Sequence, residues 1–431
     1  MRLQLILPRV EPTEMKLPSV CPYEDCHRLG SGTPQGRHFR YHQEVSKAVK
    51  DTKYEAVSAD RYECLRCKRT FRVYPQGVTC AQTSQRVKGL GVLLYLLGLS
   101  YGAASLALEA LGVYMCKSSV YEAVQAAAEK VPGLKRNEVF AGIRTPALGG
   151  DLTSVKCNGQ WLQLGLAVDD TSGLVLTIDE LSAEDAETIK EWLEPIAKAV
   201  AAELLVSDDA DTFKTVADEL GLEHQVCKSH VKRNSETFIE NLEPKVESDE
   251  DGSLAAIGIT PEQALEDLKR LGELILSRQP EEEDELEEMH QRYTDAAPPV
   301  RGEKATVAYR LRLMYLDRWN LWRPLTRYRT WQGPKGETVD GTNNGCERAI
   351  GWWIKERYRT MRGYKRTKSA VNVSRLLAWC GNHLERGGSR PPRRIGAQTT
   401  SKDQAPQRLF APFTKLRTVT CTVNRAVARS A

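Results

Sequence analysis

The sequence predicts a mixed α/β protein whose central sheet is formed by residues 148–227. Three strand-like runs are separated by two turn signals, first Asn158-Gly159 and then residues 170–173. After Ser182 the apolar residues recur at helical spacing, and two short strands with a helix between them follow. The predicted order of elements is therefore β-β-β-α-β-α-β, beginning with an antiparallel meander.

Local signals define the helix that follows the third strand. Ser182 is expected to be its N-cap, with Asp185 at the position of the acid in a capping box. Pro195 falls inside the helix and is expected to kink its later turns. The remaining predicted elements are a strand over Leu204–Ser207, a helix over Phe213–Leu220 and a strand over His224–Cys227.

Composition and cysteine usage limit the class of protein. A chain of 431 residues, 41% of them hydrophobic, is long enough for several domains with sizeable cores. Eleven cysteines without a signal peptide predict a reducing cytoplasm and favour metal ligands over disulfides. The most apolar run, residues 90–99, is too short to span a bilayer, so no membrane segment is expected.

The net charge of +4 is small, but the charge is unevenly distributed. Residues 348–394 hold thirteen Lys and Arg against two acids, whereas residues 281–288 are almost wholly acidic. A positive segment of that density favours a polyanionic partner such as double-stranded DNA. The acidic run is expected to be a solvated helix face.

Two cysteine pairs predict a zinc-binding module over residues 1–80. Cys64 and Cys67 form a CxxC turn between two strand-like pieces, and Cys21 and Cys26 form a second, more widely spaced pair. Four thiolates satisfy tetrahedral Zn²⁺, and the metal can stabilise a module too small to fold on its own core. Unrelated free cysteines are the alternative. Competing ligands near the first pair are His27, His38 and His42.

Residues 81–135 predict three short helices in a helix-turn-helix arrangement. The first helix is expected to stop at Gly98, Ser100 to cap the second, and Ser118 or Ser119 to cap the third. A plain three-helix packing unit is the alternative. If the third helix reads a DNA groove, the contacting residues are Lys117, Ser118, Ser119, Tyr121 and Gln125.

Three acidic residues at the start or end of predicted elements are candidate metal ligands. Asp151 begins the first strand region, Asp208 ends the fourth strand, and Glu347 opens a late helix after Asn343 and Asn344, which can cap that helix. Near Asp208 the competing acids are Asp209 and Asp211. Asp169 and Asp170 lie at a hairpin and are interpreted as turn formers.

The strand order, the two aspartates and the segment TNNGCER together resemble the ribonuclease-H-like catalytic core of DDE insertion-sequence transposases. The resemblance implies that the first and fourth strands are neighbours. It also implies that Asp151, Asp208 and Glu347 bind two Mg²⁺ ions, or Mn²⁺, for phosphodiester cleavage and strand transfer. In the family the acid directly after the Val-Ser pair is the ligand, which here is Asp208. Many such transposases also begin with a zinc ribbon.

A second resemblance concerns the segment after the last strand, HQVCKSHVKRN. Cys227 and His230 match a Cys-x-x-His element found in several DDE families, and they are expected to support the active site together with Asn344 and Arg348. Alternatively, His230 is a structural histidine whose ring nitrogens are hydrogen-bonded within the fold. This pair alone lacks two ligands of a structural zinc site. Expected phosphate contacts are Lys232, Arg233, Lys355, Arg357 and Arg359.

The predicted core is split by an insertion. Residues 136–235 form its first part, residues 236–335 a helical insertion, residues 336–388 the last part with Glu347, and residues 389–431 a flexible basic tail. Within the insertion, residues 243–253 are interpreted as a loop, and the tryptophans as core rather than base-stacking residues. A helix over residues 369–384 is expected to close the core.

The resemblance implies a transposase that nicks element ends and joins the freed 3′ hydroxyl to target DNA. It also implies at least a dimer, acting on the nucleoid in the cytoplasm. Two alternatives remain, a metal-dependent nuclease without strand transfer and a domesticated, catalytically inert DNA-binding regulator.

Overall fold

The computed structural model describes residues 7–28, 38–131, 144–356, 358 and 364–381. Its contacts divide the chain into two compact units, Met1–Val131 with Glu356–Ala431, and Pro132–Lys355. The predicted basic tail and the predicted phosphate contacts Arg357 and Arg359 lie outside the described residues.

The first unit begins with a small β module around the four paired cysteines. A three-stranded antiparallel sheet in the order β2-β3-β4 lies beside the pair β1-β5. Cys21, Cys26 and Cys64 pack with Phe71 and Val73 in one small buried cluster. The elements are β1 Glu11–Met15, α1 Glu24–Arg28, β2 Phe39–Ala48, β3 Ala56–Cys64, β4 Thr70–Val73 and β5 Pro75–Gln76.

Three helices follow, α2 Gln85–Leu96, α3 Tyr101–Ala110 and α4 Lys117–Ala128. As predicted, the Ser100 side chain caps α3 by accepting a hydrogen bond from the Ala103 amide at 3.1 Å. The expectation that Ser118 or Ser119 caps the third helix is wrong. Helix α4 begins at Lys117 after Cys116, which makes no side-chain cap bond, so both serines lie inside the first turn.

The second unit is built on a five-stranded sheet in the order β10-β9-β6-β7-β8. The predicted meander is confirmed, because β6-β7-β8 is antiparallel and is joined first by the tight turn Asn158-Gly159, where φ is 50° and 84°. The first and fourth strands of the unit, β6 and β9, are parallel neighbours. The elements are β6 Ala147–Cys157, β7 Gln160–Asp169, β8 Leu174–Leu181, α5 Ala186–Val200, β9 Leu204–Ser207, α6 Asp211–Leu220 and β10 Glu223–Val226.

Helix α5 starts later than predicted. Its N-cap is Asp185, whose carboxylate accepts a hydrogen bond from the Thr188 amide at 2.8 Å, and not Ser182. The acid expected to complete a capping box is therefore itself the cap. Ile189 and Leu193 on the inner face of α5 are fully buried in the core beneath the sheet.

The insertion forms its own hydrophobic core. Trp322 is fully buried there and its indole nitrogen donates a hydrogen bond to the Gln279 carbonyl at 2.9 Å, which confirms a core role. The predicted loop over residues 243–253 is partly helix, since the first insertion helix runs through Pro244 to Ser248. The helices are α7 Lys228–Ser248, α8 Ser253–Ala256, α9 Pro261–Ser277, α10 Glu283–Arg292 and α11 Val307–Thr326.

The last elements are α12 Asn344–Ala349, which continues as a π-helix over Ile350–Lys355, and α13 Thr367–Gly381. Helix α13 was expected to close the catalytic core. It belongs instead to the first unit, where it packs on α4. The contact buries apolar residues of α13, among them Val373 and Leu377, and it includes two polar bonds. Gln125 of α4 donates a hydrogen bond to Ser369 at 2.9 Å and accepts one from Asn372 at 3.2 Å. Over the described part of the chain, no helix is both long and apolar enough to cross a membrane.

Candidate active site and cysteine cluster

Asp151 and Asp208 lie at equivalent positions relative to the pairing of two neighbouring parallel strands. The last paired residues of β6 and β9 are Gly149 and Val206. Two residues further on, Asp151 lies within β6 and Asp208 directly follows the end of β9. Gly149 allows close packing here. A Cβ at residue 149 would lie 2.6 Å from Val168 Cγ2 and 3.1 Å from Cys346 Sγ, nearer than side chains normally approach.

Glu347 reaches the same place because α12 is tied to β6. Asn343, which is fully buried, donates a hydrogen bond from its side-chain nitrogen to the Gly150 carbonyl at 3.2 Å. Its backbone amide donates to Cys227 Sγ at 3.3 Å. Asn343 makes no side-chain cap bond to α12, so its role is to join the start of the helix to the strand that carries Asp151.

Asp151 is partly buried and is influenced by the charges of both other acids. Burial, and after it the charges of Asp208 and Glu347, raise the pKa of Asp151 to about 7, against the opposing effects of the Leu152 amide and His230. Negative charges held together in a partly buried site repel one another. A divalent cation bound between them would relieve that repulsion, and carboxylate oxygens are the ligands that Mg²⁺ prefers. The donor set therefore fits the expected ions.

The two acids that competed with Asp208 have other partners. Asp209 forms an ion pair with Lys214 at 3.1 Å and accepts a hydrogen bond from Asn234 at 3.2 Å. Asp211 is exposed at the start of α6 and pairs with the same lysine at 2.9 Å. Asp208 forms none of these ion pairs, and its carboxylate accepts a hydrogen bond from the Ala210 amide at 3.2 Å.

The hairpin acids Asp169 and Asp170 differ from each other. Asp169 forms the turn as predicted, accepting hydrogen bonds from the Thr171 amide at 3.1 Å and the Ser172 hydroxyl at 2.6 Å. Asp170 instead faces α12, since a Cβ on Gly345 would lie 3.2 Å from its carboxylate. Burial raises the pKa of Asp170 to about 7, with further contributions from neighbouring acids. Interpreting Asp170 only as a turn former was incomplete, because nothing in a hairpin sequence shows which acid will be covered.

Cys227 and His230 lie beside Glu347. Each of the three offers a ligand atom within 4.8 Å of the others, and His230 Nδ1 is 3.5 Å from Glu347 Oε1. Asn344 and Arg348, also expected to support the active site, do not belong to this group of ligand atoms. The Arg348 side chain donates a hydrogen bond to the Asn344 carbonyl at 3.0 Å, and its charge acts on Asp170.

The four cysteines predicted to bind zinc converge in the first unit. The Sγ atoms of Cys21 and Cys67 are 3.8 Å apart, and those of Cys26 and Cys64 are 3.9 Å apart. Four sulfurs bound tetrahedrally at about 2.3 Å from Zn²⁺ would be separated by about 3.8 Å. The spacing therefore fits Zn²⁺. Within the described ranges, no histidine joins the cluster; the side chain of His27 lies outside them.

The predicted DNA contacts have different surroundings. Lys117 and Ser118 are exposed at the start of α4 and Ser119 is half-buried. Tyr121 packs edge-on against Tyr101, with ring centroids 5.4 Å apart. Gln125 is the exception, because both ends of its amide are bonded to α13. In the second unit, Lys232 forms an ion pair with Glu236 at 3.6 Å, whereas Arg233 and Lys355 are exposed.

Comparison with known proteins finds limited similarity. No protein-family model and no curated protein matches the chain. Among solved structures, it is similar to the magnesium-bound, dimeric HTLV-2 integrase catalytic core domain, with 23% identity over 25% of this chain and 77% of that one, and a TM-score of 0.17. The BIV integrase catalytic core domain gives 14% identity over 45% and 90% of the two chains, with a TM-score of 0.16. Because the superpositions are weak, the function is inferred from the geometry of this chain.

Proposed function

We propose that this chain is a metal-dependent DNA transposase of the DDE type with a ribonuclease-H-like core. The proposal is supported by the placement of Asp151 and Asp208 just beyond the last paired residues of β6 and β9, by the influence of the Asp208 and Glu347 charges on Asp151, and by the bond that ties the start of α12 to β6. Two divalent ions bound by these carboxylates would supply an activated attacking oxygen and stabilise the leaving one.

The protein's own residues hold the acids in place and bind the DNA backbone. Asn343 fixes α12 against β6 and thereby sets the position of Glu347 relative to Asp151. Arg233 and Lys355, both exposed, are suited to sequence-independent phosphate contacts. The proposed reaction is hydrolytic nicking at element ends, followed by attack of the freed 3′ hydroxyl on target DNA.

In the proposal the first unit recognises the ends of the element. The four-cysteine cluster serves as a structural zinc ribbon, and α4 is the reading helix of a helix-turn-helix. Its candidate contacts are Lys117, Ser118, Ser119 and Tyr121, while Gln125 has the structural role of bonding α13. Two ends must be joined to one target, so we propose that at least a dimer is the active form.

The test is nicking of a supercoiled plasmid that carries the DNA flanking the gene, in the presence of Mg²⁺. The variants Asp151→Asn, Asp208→Asn and Glu347→Gln should each lose at least about 1,000-fold in rate, because each removes a carboxylate that would hold the metal ions on which stabilisation of the transition state depends. They should still shift the DNA in a gel. Asp211→Asn is the matched control, since this exposed acid neighbours the site without entering it. Unchanged nicking in all three variants would refute the mechanism.

Strand transfer separates the proposal from its two alternatives. An oligonucleotide end that already carries the 3′ hydroxyl should be joined to a target plasmid by the wild-type protein. Nicking without joining would identify a nuclease. DNA binding without either reaction, in Mg²⁺ and in Mn²⁺, would identify a regulator on an inactive core.

A further inference from the structure

A mixed cluster of sulfur, nitrogen and oxygen atoms lies next to the proposed active site. Cys227, which is almost fully buried, directly precedes α7, and His230 lies in the first turn of that helix. Both side chains lie beside Glu347. The three ligand atoms lie within 4.8 Å of one another.

Two further contacts indicate that the cluster is suited to a ligand. His230 Nδ1 is buried and makes no hydrogen bond, although it lies 3.5 Å from Glu347 Oε1. Buried polar atoms are normally hydrogen-bonded, so this one requires an explanation. Cys227 Sγ accepts a hydrogen bond from the Asn343 amide at 3.3 Å, which helps to fix the position of the sulfur.

We propose that Cys227, His230 and Glu347 form an exchangeable site for a transition-metal ion of the Zn²⁺ type. Thiolate and imidazole select such ions over Mg²⁺, which prefers oxygen ligands. With Zn–N and Zn–O bonds of about 2.1 Å, tetrahedral nitrogen and oxygen ligands are separated by about 3.4 Å, close to the distance between His230 and Glu347. Three protein ligands leave the fourth position open to solvent.

The site would share Glu347 with the magnesium ions of the proposed reaction. A carboxylate that binds Zn²⁺ beside Cys227 and His230 offers less charge and less freedom of position to Mg²⁺ beside Asp151. Zinc therefore acts as an inhibitor that competes with Mg²⁺. The inhibition rests on the proposed function, whereas zinc binding does not.

Metal binding is tested first, on the full chain with its cysteine cluster already filled with zinc. Titration with Co²⁺ should give visible d–d bands and a thiolate-to-cobalt charge-transfer band for one further ion. Cys227→Ser should remove the charge-transfer band, and His230→Gln should weaken Co²⁺ binding at least tenfold. Cys80→Ser, which removes an exposed thiol outside both clusters, should bind Co²⁺ as the wild type does. If Cys227→Ser does not fold, His230→Gln still decides the result.

A wild-type protein that binds no further Co²⁺, or variants that bind it with unchanged affinity and spectrum, would overturn the site. Inhibition is measured separately, as the Mg²⁺-dependent nicking rate at increasing free Zn²⁺. Zinc should inhibit the wild type. Each variant should need at least tenfold more free Zn²⁺ to reach half of its own zinc-free rate. Absence of nicking under all conditions would count against the proposed function, while the cobalt titration would still decide on the site.

Discussion

The four-cysteine cluster of the first unit and the acidic site of the second unit are built in opposite ways. The four cysteines of the first unit come from separate segments and pack with few apolar residues, among them Phe71 and Val73. In the second unit, Asp151 and Asp208 are carried by a sheet with a large buried core, and Glu347 lies on a helix that is bonded to that sheet. Folding of the first unit's β module would depend on a bound ion, whereas the fold of the second unit would form first and then bind its ions. This contrast separates a structural from a catalytic use of metal.

The largest expected effect is loss of zinc from the first unit. Cys64→Ser should abolish tight zinc binding and unfold the β module, because a structural zinc site contributes about 10 kcal/mol or more to the folding of a small domain. Zinc content and amide hydrogen exchange over residues 38–76 would measure this. Cys80→Ser is the control. A Cys64→Ser module that remains protected from exchange would show that its own core is sufficient.

Close packing beneath the acids gives the next effect. Gly149→Ala would force a methyl group against Val168 and Cys346, and should destabilise the second unit by about 2 to 3 kcal/mol. Gly272→Ala, inside α9 with Ile239 no nearer than 3.9 Å, should instead be neutral or stabilising by up to about 1 kcal/mol. Urea denaturation of both variants measures the difference. Equal stability of the two would show that β6 and α12 are loosely packed.

The third prediction concerns the cost of a charged Asp151, which arises first from its burial and then from the charges of Asp208 and Glu347. The pKa of Asp151 is about 7 in the folded protein and 3.8 as an unperturbed side chain. The folded protein therefore favours the protonated carboxyl of Asp151. The stability that goes with this protonated form is fully present below pH about 4 and is lost as the pH rises through about 7. Without added Mg²⁺, Asp151→Asn should be more stable than the wild type by about 1 to 2 kcal/mol at pH 8, and by less than half of that at pH 5. Thermal unfolding at the two pH values tests this, and a pH-independent difference would contradict it.

The smallest effect expected is at the N-terminus of α5. Asp185→Ala should cost about 1 kcal/mol, because the Thr188 amide loses its hydrogen-bond partner. Ser182→Ala should change stability by no more than a few tenths of that. Chemical denaturation distinguishes the two, and the opposite ranking would restore Ser182 as the cap.

The sheet could be predicted from the sequence because its signals are local. Asn158-Gly159 defines a two-residue hairpin, and alternating apolar residues define the strands on either side. That the first and fourth strands are neighbours came from a family resemblance rather than from any single residue. The positions of Asp151 and Asp208 follow from that pairing and from the strand ends.

The remaining contacts could not be predicted because they join distant parts of the chain. Gln125 bonds Ser369 and Asn372, more than two hundred residues away, so a side chain expected to face DNA is occupied within the protein. The burial of Asp170 and the bond from Asn343 to Gly150 likewise depend on how α12 docks. The spacing of residues along the sequence predicts which side chains share a face of one helix or strand. It does not predict which other helix or strand packs against that face.

The π-helix after Glu347 has a consequence for how this protein tolerates changes in length. Over Ile350–Lys355 the backbone makes wider turns than an α-helix, which is the usual result of one extra residue in a helix. Removing one residue there would restore α-helical bonding and leave Glu347 unmoved. The helix can therefore accept a single-residue deletion after its carboxylate, at a place where most helices would shift out of phase.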